Sequence, residues 1–157
     1  MAAPRSMTLE EAGARFGALA AEPDEALLVA ADERADELLA LGEVILEAWL
    51  AARGETPTTG TVEGFRLLAL HRQGARGEPS FNACRESCRE LVYHHNLVRL
   101  DPTHPETARR LRLGAMVGRH LALFIGGKLE VGGLGEFCCS ARPLRQREAS
   151  ADAAETI

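Results

Sequence analysis

Four cysteines and five histidines are the residues of this chain whose types and spacing could carry chemistry. The stretch Phe81-Asn82-Ala83-Cys84-Arg85-Glu86-Ser87-Cys88 continues to His94-His95 and holds two of those thiols four residues apart. At about 100° per residue, with Cys84 at zero, Cys88 falls near about +40°, Leu91 near about −20° and His95 near about +20°. Cys84, Cys88 and His95 therefore share one helix face. Two thiolates one turn apart can grip a metal ion, and a helix is rigid enough to preorganise them. An intrahelical Cys84–Cys88 disulfide is disfavoured, because Cβ atoms at i and i+4 lie beyond the bridge spacing of about 3.8 Å. His95 lies roughly 10 Å further along the axis than Cys88, so a single ion must recruit ligands from other elements. The candidates are His120 on the next helix and the vicinal pair Cys138-Cys139 after a glycine-rich break. Cys84, Cys88, His95, His120, Cys138 and Cys139 are thus the expected metal ligands, and zinc or iron, including an iron–sulfur cluster, is the cofactor they would take.

The same residues also read as ordinary core, since cysteine is among the most often buried side chains and a buried histidine can be satisfied by one hydrogen bond. Neither cysteine pair has the C-x-x-C spacing of a zinc knuckle. Adjacent thiols such as Cys138-Cys139 can capture a soft metal or close a strained, easily reduced ring, and in a cytosolic setting they would rest reduced. Glu86, Glu90 and His94 recur every fourth residue, and Glu43 with Glu47 makes another carboxylate pair, but the Glu-x-x-His motif of a di-iron bundle does not occur. The chain also has no P-loop, no dinucleotide fingerprint, no Gly-x-Ser-x-Gly and no His-Glu-x-x-His. A Cys-His dyad built on Cys84 or Cys88 would face a thiolate disfavoured by desolvation. No catalytic residue is nominated, and a non-enzymatic role is expected.

Composition sets the elements that must position these groups. The 157 residues are 46% hydrophobic and only 4% aromatic, rich in Ala, Leu, Glu and Arg, which favours an all-α fold. Thr8 and Glu11 form a capping box opening a helix from about Leu9 to Ala21, closed by Pro23. The phrase Thr8-Leu9-Glu10-Glu11-Ala12-Gly13-Ala14-Arg15-Phe16-Gly17 resembles the first helix of a sigma-factor-type helix-turn-helix. A polar, basic recognition helix should then follow, but the chain runs into Glu22-Pro23-Asp24-Glu25 and an acidic helix, so DNA reading is not expected. Asp24 caps one long helix ending at Gly54, with Leu28, Ala31, Ala35, Leu38, Gly42, Ile45 and Trp49 as its seam. Gly42 there implies the close approach of another helix. Further helices are expected over Val62–Gln73, over Phe81–Leu100, and from a Thr103/Glu106 capping box to Ile125 with Gly114, Ala115, Gly118 and Ala122 as a small-residue face.

Charge is unevenly placed. Residues 1–63 hold 13 acids against four arginines, whereas residues 64–148 hold 14 bases against eight acids. Internal matching within one bundle is the expected consequence, since the net charge of −5 and the lack of aromatics among Arg85, Arg89, Arg99, Arg109, Arg110 and Arg112 argue against nucleic acid. No apolar run of about 18 residues and no signal-like start is seen, so neither secretion nor a membrane partner is expected and a cytoplasmic location is. The reading is a single-domain all-α bundle of about five helices over 1–141, with a glycine-rich C-terminal segment and a disordered tail over 142–157. Its expected function is a Cys/His metal or thiol site in a sensing, carrier or accessory role. The alternative is a non-catalytic protein-interaction module with structural cysteines. The partner expected is another protein, or a second copy through helix faces.

Overall fold

The computed structural model describes residues 6–131, and these are helical apart from turns, one isolated bridge and the irregular segment 55–61. The order is α1 (Leu9–Ala21), α2 (Asp24–Val29), α3 (Ala31–Ala52), α4 (Arg66–Gly74), a 3₁₀ turn (Pro79–Cys84), α5 (Arg85–Leu100) and α6 (Thr107–Val131). No named strand occurs among the described residues; Val62 and Phe65 make one isolated bridge. Compactness divides the chain after Ala122. The first unit is an all-α bundle of α1 to α5 and most of α6, and the described part of the second is Leu123–Val131, the end of α6. Cys138, Cys139 and the 142–157 tail lie outside the described residues.

α1 begins as its sequence dictates. Thr8 Oγ1 accepts from the Glu11 amide at 3.1 Å and Glu11 Oε1 accepts from the Thr8 amide at 2.9 Å, a reciprocal capping box. The long acidic helix is two helices rather than one, because Ala30 leaves helical geometry at φ −139° and ψ 58°. Asp24 is the first residue of α2 and Pro23 precedes it as the cap. This break resets the register: Leu27 is 1% exposed and Leu28, the expected seam residue, is 46% exposed. From Ala31 onward the expected seam holds, and Ala35, Leu38, Gly42, Ile45 and Trp49 are all buried. α3 is central, packing on α1, α2, α4 and α5. A Cβ at Gly42 would stand 3.0 Å from Leu67 and 3.2 Å from Leu91, which is the close approach that the glycine permits. Past the end of α3, Gly54 takes φ +76°, and the Gly54 amide bonds Ala51 O and the Glu55 amide bonds Leu50 O, a Schellman closure.

α4 starts at Arg66, four residues later than the periodicity predicts. Val62 and Phe65 exchange backbone bonds of 3.1 and 2.9 Å around Glu63 and Gly64, both at positive φ, and this tight turn takes up the expected first helical turn. Cys84 likewise closes a 3₁₀ turn rather than sitting inside a longer helix. α6 starts at Thr107, with the Glu106 amide bonding His104 Nδ1 in place of a Thr103/Glu106 box, and runs past Ile125 to Val131. Its small-residue face is packed as expected: a Cβ at Gly118 would lie 2.2 Å from Phe16.

Acidic and basic halves meet inside the first unit. Arg112 binds Asp24 at 2.7 Å, Arg89 binds Glu63 at 2.9 Å, and Arg99 reaches Asp32 and Asp36 at 3.8 and 3.7 Å, while within the acidic half Arg15 and Arg34 bind Glu37 at 2.6 and 2.8 Å. Glu43 and Glu47, the carboxylate pair of α3, both grip Arg66 of α4.

Candidate functional site

Leu67, Leu70, His71 and Gly74 follow i, i+3, i+4, i+7 along α4, so the apolar stripe that docks the helix carries His71 inward with it. At the helix end the Trp49 indole N–H donates to Gly74 O at 3.3 Å. Gly74 has to be a glycine there, since a Cβ would lie 2.8 Å from the Phe81 ring and 3.0 Å from Trp49. The chain then reverses and Pro79 opens the 3₁₀ turn. That turn inserts fully buried Phe81 between Trp49, at 5.1 Å between centroids and 19° between planes, and His71, at 5.3 Å and 16°. The three rings form a stack that fixes the imidazole.

The carbonyl oxygen of Phe81 is the meeting point of the polar groups. His71 Nε2 lies 3.1 Å from it and Cys84 Sγ 3.0 Å. Cys84 is also the N-cap of α5, and Cys88 follows one turn on. Both cysteines are free and buried, Cys84 3% and Cys88 0% exposed. The Cys88 thiol hydrogen-bonds Cys84, and this bond is the main reason that the Cys84 pKa falls; burial opposes the fall, the His71 hydrogen bond and charge reinforce it, and the result is about 6. The positive end of α5 acts in the same direction. Burial pushes His71 down, but its hydrogen bond to Cys84, the charge there and the Phe81 carbonyl outweigh that and leave it raised. Cys88 is driven well above the ordinary thiol range by its bond to Cys84, by burial and by the neighbouring charge. The Cys84 thiol thus donates to the same carbonyl oxygen that His71 Nε2 faces, and the nearness of the two groups lowers the Cys84 pKa while raising that of His71.

The imidazole of His71 lines a pocket of about 230 Å³ together with Arg72, Arg85 and Arg89. An adjoining pocket of about 650 Å³ shares Val62 and Arg72 with it and is lined by the threonine-rich segment from Thr56 to Thr61 and by Arg76.

Of the six sequence-nominated ligands, the fold brings Cys84 and Cys88 together. His95 stands half-buried at the α3–α5 margin with Nε2 3.1 Å from Asp36 and Nδ1 2.9 Å from Asn96 Oδ1, so both of its ring nitrogens have partners. His120 is exposed on α6. Cys138 and Cys139 lie outside the described residues. Among the described residues no group of three or more His, Cys, Asp or Glu could hold a metal ion. His94 is a core histidine: both ring nitrogens are buried without a hydrogen bond, and Glu90 is 3.7 Å from Nε2. His71 is the site residue that spacing did not nominate. Its one sequence signal is a histidine placed on the apolar stripe of a short helix that two glycines follow. No helix among the described residues is long and apolar enough to cross a membrane. Comparison with known proteins finds no matching family model, no matching curated protein and no matching solved structure.

Proposed function

We propose that this protein works through a buried thiol site in a sensing or accessory role, with Cys84 as the reactive thiolate, Cys88 as its thiol partner and His71 Nε2 as the holder of its proton. What supports the reading is the gathering of three groups at one carbonyl: the Cys84 thiol donates to Phe81 O at 3.0 Å, His71 Nε2 lies 3.1 Å from the same oxygen, and Cys88 and His71 beside it lower the Cys84 pKa to about 6. Thiolate character, not thiol content, sets reactivity toward oxidants. The oxidant class that suits a site with so little opening is a small hydroperoxide. Cys84 S⁻ attacks its terminal oxygen, an S–O bond forms, and the O–O bond breaks. The departing oxyanion takes the proton from His71 Nε2, leaving a sulfenic acid. The Cys88 sulfur then attacks Cys84, the S–O bond breaks, and the hydroxyl leaves as water with the Cys88 proton. Two thiol electron pairs have become one disulfide and the peroxide has been reduced.

Closure carries the signal. Cβ atoms at i and i+4 are too far apart for an unstrained bridge, so forming it must draw Cys84 toward Cys88 and shift the 3₁₀ turn that ends there. A six-residue 3₁₀ turn is longer than such turns usually run and has poorer hydrogen bonds than α-helix, which makes it the element that yields. Phe81 rides on it, so oxidation should unstack Phe81 from Trp49, the single tryptophan of the chain. A reducing compartment such as the cytosol would reset the site.

The test is hydrogen peroxide treatment at neutral pH, followed by peptide mass mapping and tryptophan emission. The wild type should form a Cys84–Cys88 disulfide and change its emission, and Cys88→Ser should stop at one added oxygen on Cys84. Oxidation confined to Cys138 and Cys139, with unchanged emission, would overturn the reading and favour an interaction module with structural cysteines.

A further inference from the structure

Arg72 projects from α4, and Arg85 and Arg89 from α5 one turn apart, and with His71 they frame the pocket of about 230 Å³. Arg89 is paired with Glu63 at 2.9 Å. Arg72 and Arg85 make no ion pair within 4 Å among the described residues, although Arg72 lies near enough to Glu63 to lower its pKa. Unpaired cations gathered around a concavity raise the local concentration of anions. Guanidinium groups arriving from two helices present donor forks in different directions, which suits a tetrahedral group with several oxygens better than a planar carboxylate with two. The adjoining pocket supplies hydroxyls from Thr59 and Thr61 and a further cation at Arg76, a lining for a polar body attached to that group.

We propose that the pocket framed by His71, Arg72, Arg85 and Arg89 is a binding site for a phosphoryl group, either free phosphate or the phosphate of a small phosphomonoester whose body lies along Thr56 to Thr61. The pocket shares His71 with the thiol reading but draws its lasting positive charge from three arginines, so phosphate binding is tested separately from the thiol chemistry.

The test is a nuclear magnetic resonance titration of the full chain, following the His71 ring and the backbone amides. The probes are inorganic phosphate, glucose 6-phosphate and, at matched ionic strength, sodium chloride. Phosphate should shift the His71 ring saturably, and chloride should not. Arg85→Gln and, separately, Arg72→Gln should weaken that response by about tenfold or more, as loss of one charge-assisted contact implies. Both arginines are exposed, so neither change should disturb folding, which the unchanged amide spectrum would confirm. Tighter binding of glucose 6-phosphate with added shifts from Thr58 to Thr61 assigns the site to a phosphomonoester, and equal binding without those shifts assigns it to free phosphate. Equal responses to chloride and phosphate, or a phosphate response untouched by both arginine variants, would overturn the proposal. Cys84→Ser keeps all three arginines, so saturable phosphate binding should persist in it whatever the peroxide experiment shows.

Discussion

His71 and His94 are both buried, and they answer burial in opposite ways. His71 finds a thiolate and a carbonyl, and its pKa rises. Burial pushes His94 down, Glu90 pulls it back in part, and Arg110 and Arg109 push it further down. At 3.7 Å the Glu90 contact is too long to count as a hydrogen bond. A depressed histidine pKa means that the unfolded chain takes up a proton first as the pH falls. His94 therefore contributes full stability above the ordinary imidazole value of about 6.5, and loses it as the pH drops from there toward its folded value. His94→Leu removes the titrating group without stranding a partner, since neither ring nitrogen has one. Its melting temperature should fall less than that of the wild type between about pH 7 and about pH 5. Parallel acid slopes for the two proteins would place the acid sensitivity elsewhere.

At the scale of elements, local chemistry was legible wherever one segment decides its own shape. Thr8 with Glu11, Gly54 past the end of α3 and the small face of α6 all do what their residue types imply. The misses arose where a tertiary choice wins. The break at Ala30 lets Leu27 go inward in place of Leu28, the Glu63-Gly64 turn takes up the first turn expected of α4, and Phe81 enters the core on a 3₁₀ turn. The same distinction governs the proposed site. The nearness of Cys84 and Cys88 was legible because one turn separates them. His71 comes from another helix and reaches Cys84 only through where Phe81 packs, which no local spacing encodes. Two glycine variants separate backbone strain from crowding. At Gly54 nothing lies near a new Cβ, so Gly54→Ala should cost only the left-handed backbone strain, about 1 kcal/mol. Gly118→Ala places a methyl 2.2 Å from Phe16 and should cost about 3 kcal/mol by overpacking. Denaturant melts of both variants check the order, and equal losses would mean that the α1–α6 approach is looser than described.

In the first unit, Arg66, Arg89, Arg99 and Arg112 of the basic back half pair with acids of the front half along the helix margins, the internal matching that the charge distribution predicted. Those pairs are partly exposed, so each should add only about 0 to 1 kcal/mol. Raising salt from about 0.1 M to about 1 M shortens the screening length from about 10 Å to about 3 Å, and the melting temperature should move by only a few degrees. A collapse of stability in salt would show that ion pairs, not the packing around α3, hold the bundle. Arg72 and Arg85, two of the arginines that make no ion pair within 4 Å among the described residues, lie beside the proposed thiol site, where α4 and the start of α5 meet. In the intact folded protein the most direct test of that site is the titration of Cys84, followed through its Cβ chemical shift in cysteine-labelled protein. The shift should show a midpoint near pH 6, should keep it in Cys88→Ser, which retains a donor, and should move upward in Cys88→Ala, which does not. A Cys84 midpoint at or above the ordinary thiol value of about 8.5 in the wild type would contradict a thiolate held by Cys88 and His71.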